Sequence, residues 1–140
     1  VNLIPAGANH TPNSLIAEVP SDKVIYAGDV LYSGRLPAIL SISNTEHWIK
    51  AYDGLRRFKG YTFIPGHGQL APLSAFEFPT YSYLTNIWSY MMKAVDNGVG
   101  LGKATKGYDQ SAYSKLANFK QLAGRNASWA YQQAELVSFE

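Results

Sequence analysis

The sequence reads Ile64-Pro65-Gly66-His67-Gly68 where an apolar segment that begins at Tyr61 comes to an end. A histidine between two glycines is positioned by backbone geometry rather than by side-chain packing, and the glycines let backbone and ligand approach closely. The apolar segment before it predicts a β-strand over residues 61–64. His67 is therefore expected in the loop at the end of that strand.

Two earlier segments also place a potential metal ligand directly after a predicted strand. Asn9-His10-Thr11-Pro12 follows a strand predicted over residues 1–4, and Ala27-Gly28-Asp29 ends a strand predicted from Lys23. Loops at strand ends bring distant side chains to a common point, and two histidines with a carboxylate predict a metal site there. Taken singly, His10 is more typical of a turn than of a metal ligand, and Gly28-Asp29 is more typical of a turn or cap.

The elements around these segments predict an α+β fold. Residues 15–19 and 23–27 read as two strands of a tight hairpin across Pro20-Ser21-Asp22, and residues 38–42 read as a further strand. Ser43 and Glu46 have the spacing of a capping box, which predicts a helix start. The apolar positions that follow have helical spacing up to Gly60: Trp48, Ile49, Tyr52, Leu55 and Phe58.

The second part of the chain has helical periodicity from about Pro79. It predicts one helix that stops at Gly98, a glycine-rich connection over residues 98–107, a helix that stops at Gly124, and a last helix from Ala127. We expect a strand-rich half-domain over residues 1–75 and a helical tail over residues 76–140 that packs on it as one globular unit.

Composition excludes several classes of protein. With 46% hydrophobic and 16% charged residues the chain is not disordered, and it contains no apolar run long enough for a membrane span. A net charge of +2 from scattered residues gives no basis for nucleic-acid binding. No signal peptide is visible, so we expect a soluble protein of unknown compartment. Without cysteine, any metal must be held by His, Asp or Glu.

Together the three segments resemble the second half of the metallo-β-lactamase fold, with its G-H-T-x-G-S, G-D and P-G-H-G motifs at His10, Asp29 and His67. The resemblance implies half of an αβ/βα sandwich, a mainly antiparallel sheet with helices on one face. It also implies that His10, Asp29 and His67 are metal ligands, with Asp29 bridging two ions of zinc, iron or manganese. An Asp ligand without Cys is similar to glyoxalase II-like hydrolases, which implies ester, thioester or phosphoester hydrolysis.

The chain departs from the family pattern in two respects. Asn9 and Asn13 occupy positions where the family usually has glycine. The H-x-H-x-D-H segment of the family's N-terminal half is also missing, because none of the three histidines of this chain lies in such a segment. Each ion of a two-ion site would then have two protein ligands, whereas catalytic zinc normally has three. The self-sufficient alternative is a single ion held by all three side chains, and a further alternative is an isolated chain that holds no metal.

Two other residues near the motifs have alternative interpretations. Arg35 follows Asp29 closely and is a candidate to contact an anionic substrate or to hold Asp29, with a structural ion pair as the alternative. His47, early in the predicted helix, is expected at the surface rather than as a ligand.

Two whole-protein hypotheses follow. The first is a metal-dependent hydrolase whose N-terminal half is absent from this chain, either supplied by a partner polypeptide or lost by truncation, so that the chain alone is catalytically incomplete. The second is a stand-alone half-fold that acts as a non-catalytic binding or structural homo-oligomer. In both cases an apolar second face of the sheet favours a protein partner, either that half or a second copy. We expect neither a nucleic-acid nor a membrane partner.

Overall fold

The computed structural model describes all 140 residues and contains one mixed four-stranded sheet in the order β1-β2-β3-β4. The strands are β1 Asn2–Gly7, β2 Ser14–Val19, β3 Val24–Tyr32 and β4 Thr62–His67. β1 pairs with β2 and β2 with β3 in antiparallel fashion, whereas β3 and β4 are parallel. The α+β class, the mainly antiparallel sheet and the hairpin between β2 and β3 are therefore confirmed.

Helix α1, Thr45–Leu55, connects the parallel strands β3 and β4 and buries Trp48, Tyr52 and Leu55. The prediction that a capping box begins this helix at Ser43 is wrong. Asn44 is the N-cap residue, and its side chain accepts a hydrogen bond from His47 N at 3.0 Å. The Ser43 hydroxyl instead donates to His10 O at 2.7 Å and accepts from Leu40 N at 2.9 Å.

The strand predicted over residues 38–42 does not form. Its polar main-chain groups bond to side chains instead of to a neighbouring strand: Ile39 N donates to Asn126 Oδ1 at 2.9 Å, and Leu40 N donates to Ser43 Oγ. Pro37, immediately before the segment, has no N–H to contribute to a ladder. We call residues 36–44 the connecting segment, because they lead from β3 to α1.

The tail contains more helix than its sequence pattern predicts. After a 3₁₀ turn and a π-helical turn it contains α2 Tyr83–Asp96, α3 Leu101–Gly107 and α4 Phe119–Ser138. Two predictions are wrong here, since α3 lies within the supposed glycine-rich connection and α4 continues through Gly124. A glycine inside a helix costs only about 1 kcal/mol. In α4 that cost is offset by packing of Ala127, Ala130 and Ala134, all fully buried.

One hydrophobic cluster of 24 buried residues joins the inner face of the sheet to α1 and the tail. The opposite face of the sheet is open: Leu3, Leu15 and Tyr26 are 69%, 57% and 53% exposed. A row of cross-strand partners runs over this open face through all four strands: Leu3, Ala17, Tyr26 and Ile64. None of the helices is sufficiently long and apolar to cross a membrane.

Candidate metal centre

The three predicted ligands lie together at one end of the sheet. The prediction that each lies in a loop after a strand is wrong for two of them: Asp29 lies within β3 and His67 is the last residue of β4, because pairing of the two strands continues to Tyr32 and His67. The parallel pairing of β3 with β4 sets Gly28 opposite Pro65 and Tyr32 opposite His67, so Asp29 and His67 become neighbours. Asp29 Oδ1 lies 3.4 Å from His67 Nε2, and Asp29 Oδ2 lies 3.4 Å from His10 Nε2. Each carboxylate oxygen thus faces a different imidazole.

The loop that carries His10 is organised by Asn9, which is completely buried. Its side-chain NH₂ lies 3.2 Å from Gly7 O and 3.4 Å from Ala6 O, and its Oδ1 accepts from His10 N and from Ser14 Oγ. Neither Asn9 nor Asn13 has a positive φ, so the loop does not need glycine at either position. The role of Asn9 was not predicted from the sequence, although an asparagine at a position where the family usually has glycine could have indicated it.

The His10 ring is buried and held in one orientation. Its Nδ1 lies 2.9 Å from Ala38 O, and because a carbonyl only accepts, we assign the proton to Nδ1. The ring also packs edge-on against Trp48, with centroids 5.3 Å apart. This tautomer leaves the Nε2 lone pair directed at Asp29, as a metal-ligating histidine requires.

The His67 ring has different neighbours. Its Nδ1 lies 3.4 Å from Arg35 Nη1, and since a guanidinium only donates, Nδ1 is assigned as the acceptor. Tyr32 stacks on the other side of the ring, with centroids 4.7 Å apart. Burial and then the nearby Asp29 carboxylate raise the pKa of Tyr32 far above its ordinary value, so its phenol stays protonated. Arg35 therefore faces the site, but it contacts His67 rather than Asp29.

The donor set fits part of a two-ion centre. Ligands about 2.0–2.1 Å from a tetrahedral zinc ion lie roughly 3.3 Å from one another, which is close to both observed His–Asp separations of 3.4 Å. However, no group of three or more His, Asp or Glu side chains is arranged to hold one ion. The two statements agree, because the three side chains form two His–Asp pairs that share Asp29. The single-ion alternative is therefore not built in this chain.

Two glycines leave room for the carboxylate. Gly28 has a φ of +56°, which a side chain rarely tolerates, immediately before Asp29. A Cβ added at Gly66 would collide with Asp29 Oδ1 and lie 2.9 Å from Asp29 N. β3 and β4 can approach this closely only because position 66 has no side chain.

The cavity beside the site is small. It has a volume of about 260 Å³ and is lined by His10 and Asp29, but not by His67. A larger groove of about 400 Å³ lies away from all three ligands, between β1 and α1. Exposed His47 lines that groove and takes no part in the candidate centre.

Comparison with known proteins bears on the fold. The model of the metallo-beta-lactamase superfamily matches residues 2–67. DIM-1 metallo-beta-lactamase and the metallo-beta-lactamase from Pontibacter korlensis share the fold with a TM-score of 0.52 and 20% identity, over 59% and 60% of this chain. VMB-1 gives the same TM-score and identity over 59% of this chain.

The chain spans 39–40% of the length of these solved structures. Identity at this level supports a common fold and nothing about substrate. No curated protein matches the chain by sequence.

Replacing Gly66 by alanine tests the close approach at Asp29. We expect Gly66→Ala to lower the free energy of unfolding by about 1–3 kcal/mol and to displace the carboxylate, because the new methyl group overlaps it. The matched control is Gly124→Ala on α4, where an added Cβ meets nothing within 4 Å. That variant is expected to gain up to about 1 kcal/mol. Urea unfolding and the Asp29 amide resonance measure both effects. Wild-type values for Gly66→Ala would contradict the interpretation.

Proposed function

We propose that this chain is the C-terminal portion of a metal-dependent hydrolase and carries part of a two-metal site, because residues 2–67 match the metallo-beta-lactamase superfamily model. The observation that carries the proposal is the carboxylate of Asp29, whose two oxygens face the Nε2 atoms of His10 and His67 at 3.4 Å each. His10 and Asp29 would hold one ion, and Asp29 and His67 the other.

The chemistry that such ions supply when bound is polarisation of a carbonyl or phosphoryl group and activation of water. The residues of this chain orient the two imidazole rings. The Ala38 carbonyl keeps the His10 ring turned with Nε2 towards Asp29, and Tyr32 supports the His67 ring. In His67, Nδ1 is the assigned acceptor of the Arg35 contact and Nε2 therefore carries the proton; to hold an ion through Nε2, the ring would carry that proton on Nδ1 and Arg35 would turn away. Zinc, iron and manganese all accept this set of nitrogen and oxygen donors.

The proposal includes a complementary polypeptide half. Two protein ligands per ion are one fewer than catalytic zinc normally has, so further ligands have to come from outside these residues. The open face of the sheet supports the same conclusion, because the row through Leu3, Tyr26 and Ile64 exposes apolar side chains that a partner would cover. We propose that this face contacts the half that supplies the remaining ligands.

Arg35 suggests the class of substrate. Its guanidinium belongs to none of the ion pairs of the structure, and its Nε is buried without a hydrogen-bond partner. By contrast, Arg56 bonds to Asp53 and Glu77. A half-buried guanidinium without a carboxylate is well suited to bind an incoming anion by its planar fork of donors. We propose that the substrate is an ester, thioester or phosphoester that carries an anionic group.

The metal-binding part of the proposal is tested by titrating the purified chain with Zn²⁺ in a calorimeter. We expect both His10→Ala and His67→Ala to weaken binding by about tenfold or more, since each removes one of two ligands from an ion. His47→Ala is the matched control, because His47 is exposed on α1 and should leave the affinity unchanged. Equal losses in all three variants would mean adventitious binding by surface histidines and would exclude the proposed site.

The partner is tested by adding a polypeptide that carries the H-x-H-x-D-H half of such a hydrolase. We expect thioester or phosphoester hydrolysis to appear on mixing, and Tyr26→Lys to abolish it, because the new charge lies in the middle of the open face. Leu136→Lys, at a position 68% exposed on α4, is the control. An inert mixture, together with a stable homodimer that Tyr26→Lys dissociates, would instead favour the non-catalytic homo-oligomer.

Anion recognition is tested with inorganic phosphate and acetate as separate probes, followed by chemical-shift perturbation. Arg35→Met is expected to weaken phosphate binding about tenfold, since charge-assisted bonds contribute about 1.5–3 kcal/mol. Arg57→Met is the control, because Arg57 is exposed and belongs to no ion pair. A response to phosphate alone indicates a phosphoester substrate, and a response to both indicates a carboxylate-bearing one. Equal binding by wild type and Arg35→Met would remove Arg35 from the site.

A further inference from the structure

Two polar side chains on α4 reach the connecting segment between β3 and α1. Asn126 and Gln133 are seven residues apart, so they lie on the same face of the helix, two turns from each other. Asn126 is completely buried, although it is a polar residue. Both lie outside residues 2–67, the part of the chain that matches the superfamily. Their contacts therefore belong to the tail rather than to the family motifs.

Asn126 holds the two peptide groups that flank Ala38. Its Nδ2 donates to Pro37 O at 2.7 Å, and its Oδ1 accepts from Ile39 N at 2.9 Å. The amide also donates to Tyr83 OH at 3.1 Å, which fixes the side chain within the tail. Because both neighbours of Ala38 are bonded to one rigid side chain, the orientation of the Ala38 carbonyl is determined by α4.

The Ala38 carbonyl is the group that orients His10. It accepts from His10 Nδ1 at 2.9 Å, while Ser43 Oγ donates to His10 O and Asn44 N donates to Asn9 O at 2.8 Å. The connecting segment thus holds the His10 loop at its ring and at its backbone. Of these contacts, only the one from Ala38 to the ring selects which imidazole nitrogen carries the proton.

Gln133 supports the same segment closer to α1. Its Oε1 accepts from Thr45 N at 2.9 Å and from Thr45 Oγ1 at 2.7 Å, and its Nε2 donates to Leu40 O at 3.3 Å. Gln133 therefore fixes both Leu40 of the segment and the first residue of α1 to α4. The main chain of the segment bonds to the tail at Leu36 N, which donates to Ala117 O at 3.0 Å, and between Leu36 and Ser43 it is held by the side chains of Asn126, Gln133 and Ser43.

We propose that Asn126 is a positioning residue for His10: through the peptide groups on either side of Ala38, it turns the imidazole so that Nε2 faces Asp29. The C-terminal tail then contributes to the metal centre without supplying a ligand. The proposal deepens the proposed function. It concerns the ring of the metal-free chain, so it stands or fails independently of whether the chain hydrolyses anything.

The test measures the His10 tautomer in the metal-free full chain by long-range ¹H–¹⁵N NMR of the imidazole. The pH is about 8.5, well above the ordinary histidine pKa of about 6.5. We expect the Nδ1–H form in wild type and a shift towards the Nε2–H form in Asn126→Ala, in which Ala38 O is no longer held. Asn126→Asp keeps the acceptor for Ile39 N but loses the donor to Pro37 O, and its effect is expected to be intermediate.

Tyr131→Phe is the matched control. It also removes one hydrogen bond from α4, the bond to Val99 O at 2.9 Å, but that bond lies within the tail and does not involve the connecting segment. Its His10 tautomer is expected to equal that of wild type. A control variant that changed the tautomer as much as Asn126→Ala would show a general loosening of the tail and would overturn the proposal.

Zn²⁺ affinity is the second measurement. Loss of a group that orients a metal ligand typically weakens binding 10- to 100-fold, and we expect a loss in this range for Asn126→Ala and none for Tyr131→Phe. If Asn126→Ala is too unstable for NMR, Asn126→Asp provides the measurement, because it keeps the acceptor for Ile39 N and loses the donor to Pro37 O. A folded variant at position 126 with the wild-type tautomer and affinity would overturn the proposal.

Discussion

The close parallel approach of β3 and β4 is the constraint on which the candidate centre depends. Parallel strands cannot be joined by a tight turn, so a crossover helix must connect them, and α1 is that helix. Their pairing shifts between Gly28 and Tyr32, where the centre lies. Side chains hold the strand there: Trp48 Nε1 donates to Val30 O at 2.9 Å, and Thr80 Oγ1 both accepts from Tyr32 N and donates to Tyr32 O. Asp29 is therefore presented from a part of β3 that α1 and the tail fix together.

Features encoded by neighbouring residues could be predicted from the sequence. Alternating and helical spacing of apolar residues located the four strands, the hairpin, α1 and α2, because burial of one face imposes that spacing directly. Features decided by distant contacts could not. The apolar residues 38–42 look like a strand, yet Asn126 and Ser43 bond to their polar groups, and Gly124 looks like a helix end, yet packing of alanines continues the helix beyond it.

The residues of the candidate site also fall into those that could be predicted from the sequence and those that could not. His10, Asp29 and His67 stood out because each was predicted to follow a strand in a segment rich in small residues. The structure brings the three together, although Asp29 and His67 belong to β3 and β4 themselves. Asn9, Ala38 and Asn126 did not stand out as partners of His10. A backbone carbonyl is not specified by any residue type. The positioning role of a buried asparagine in a helix can be assigned only when its hydrogen-bond partners are known. The groups that orient a ligand are therefore harder to read from sequence than the ligand itself.

Because α4 contacts the connecting segment, the presence of the ligand motifs does not ensure that their side chains are correctly oriented. A related protein could keep His10, Asp29 and His67 unchanged and still present a misdirected imidazole, if its tail had lost the amide that Asn126 supplies. Comparisons restricted to residues 2–67 would score that protein as intact. Transplanting those residues onto another scaffold would face the same difficulty. The orientation of a ligand in residues 2–67 thus depends on a residue outside them, and substitutions on the inner face of α4 are expected to be constrained by the site as well as by packing.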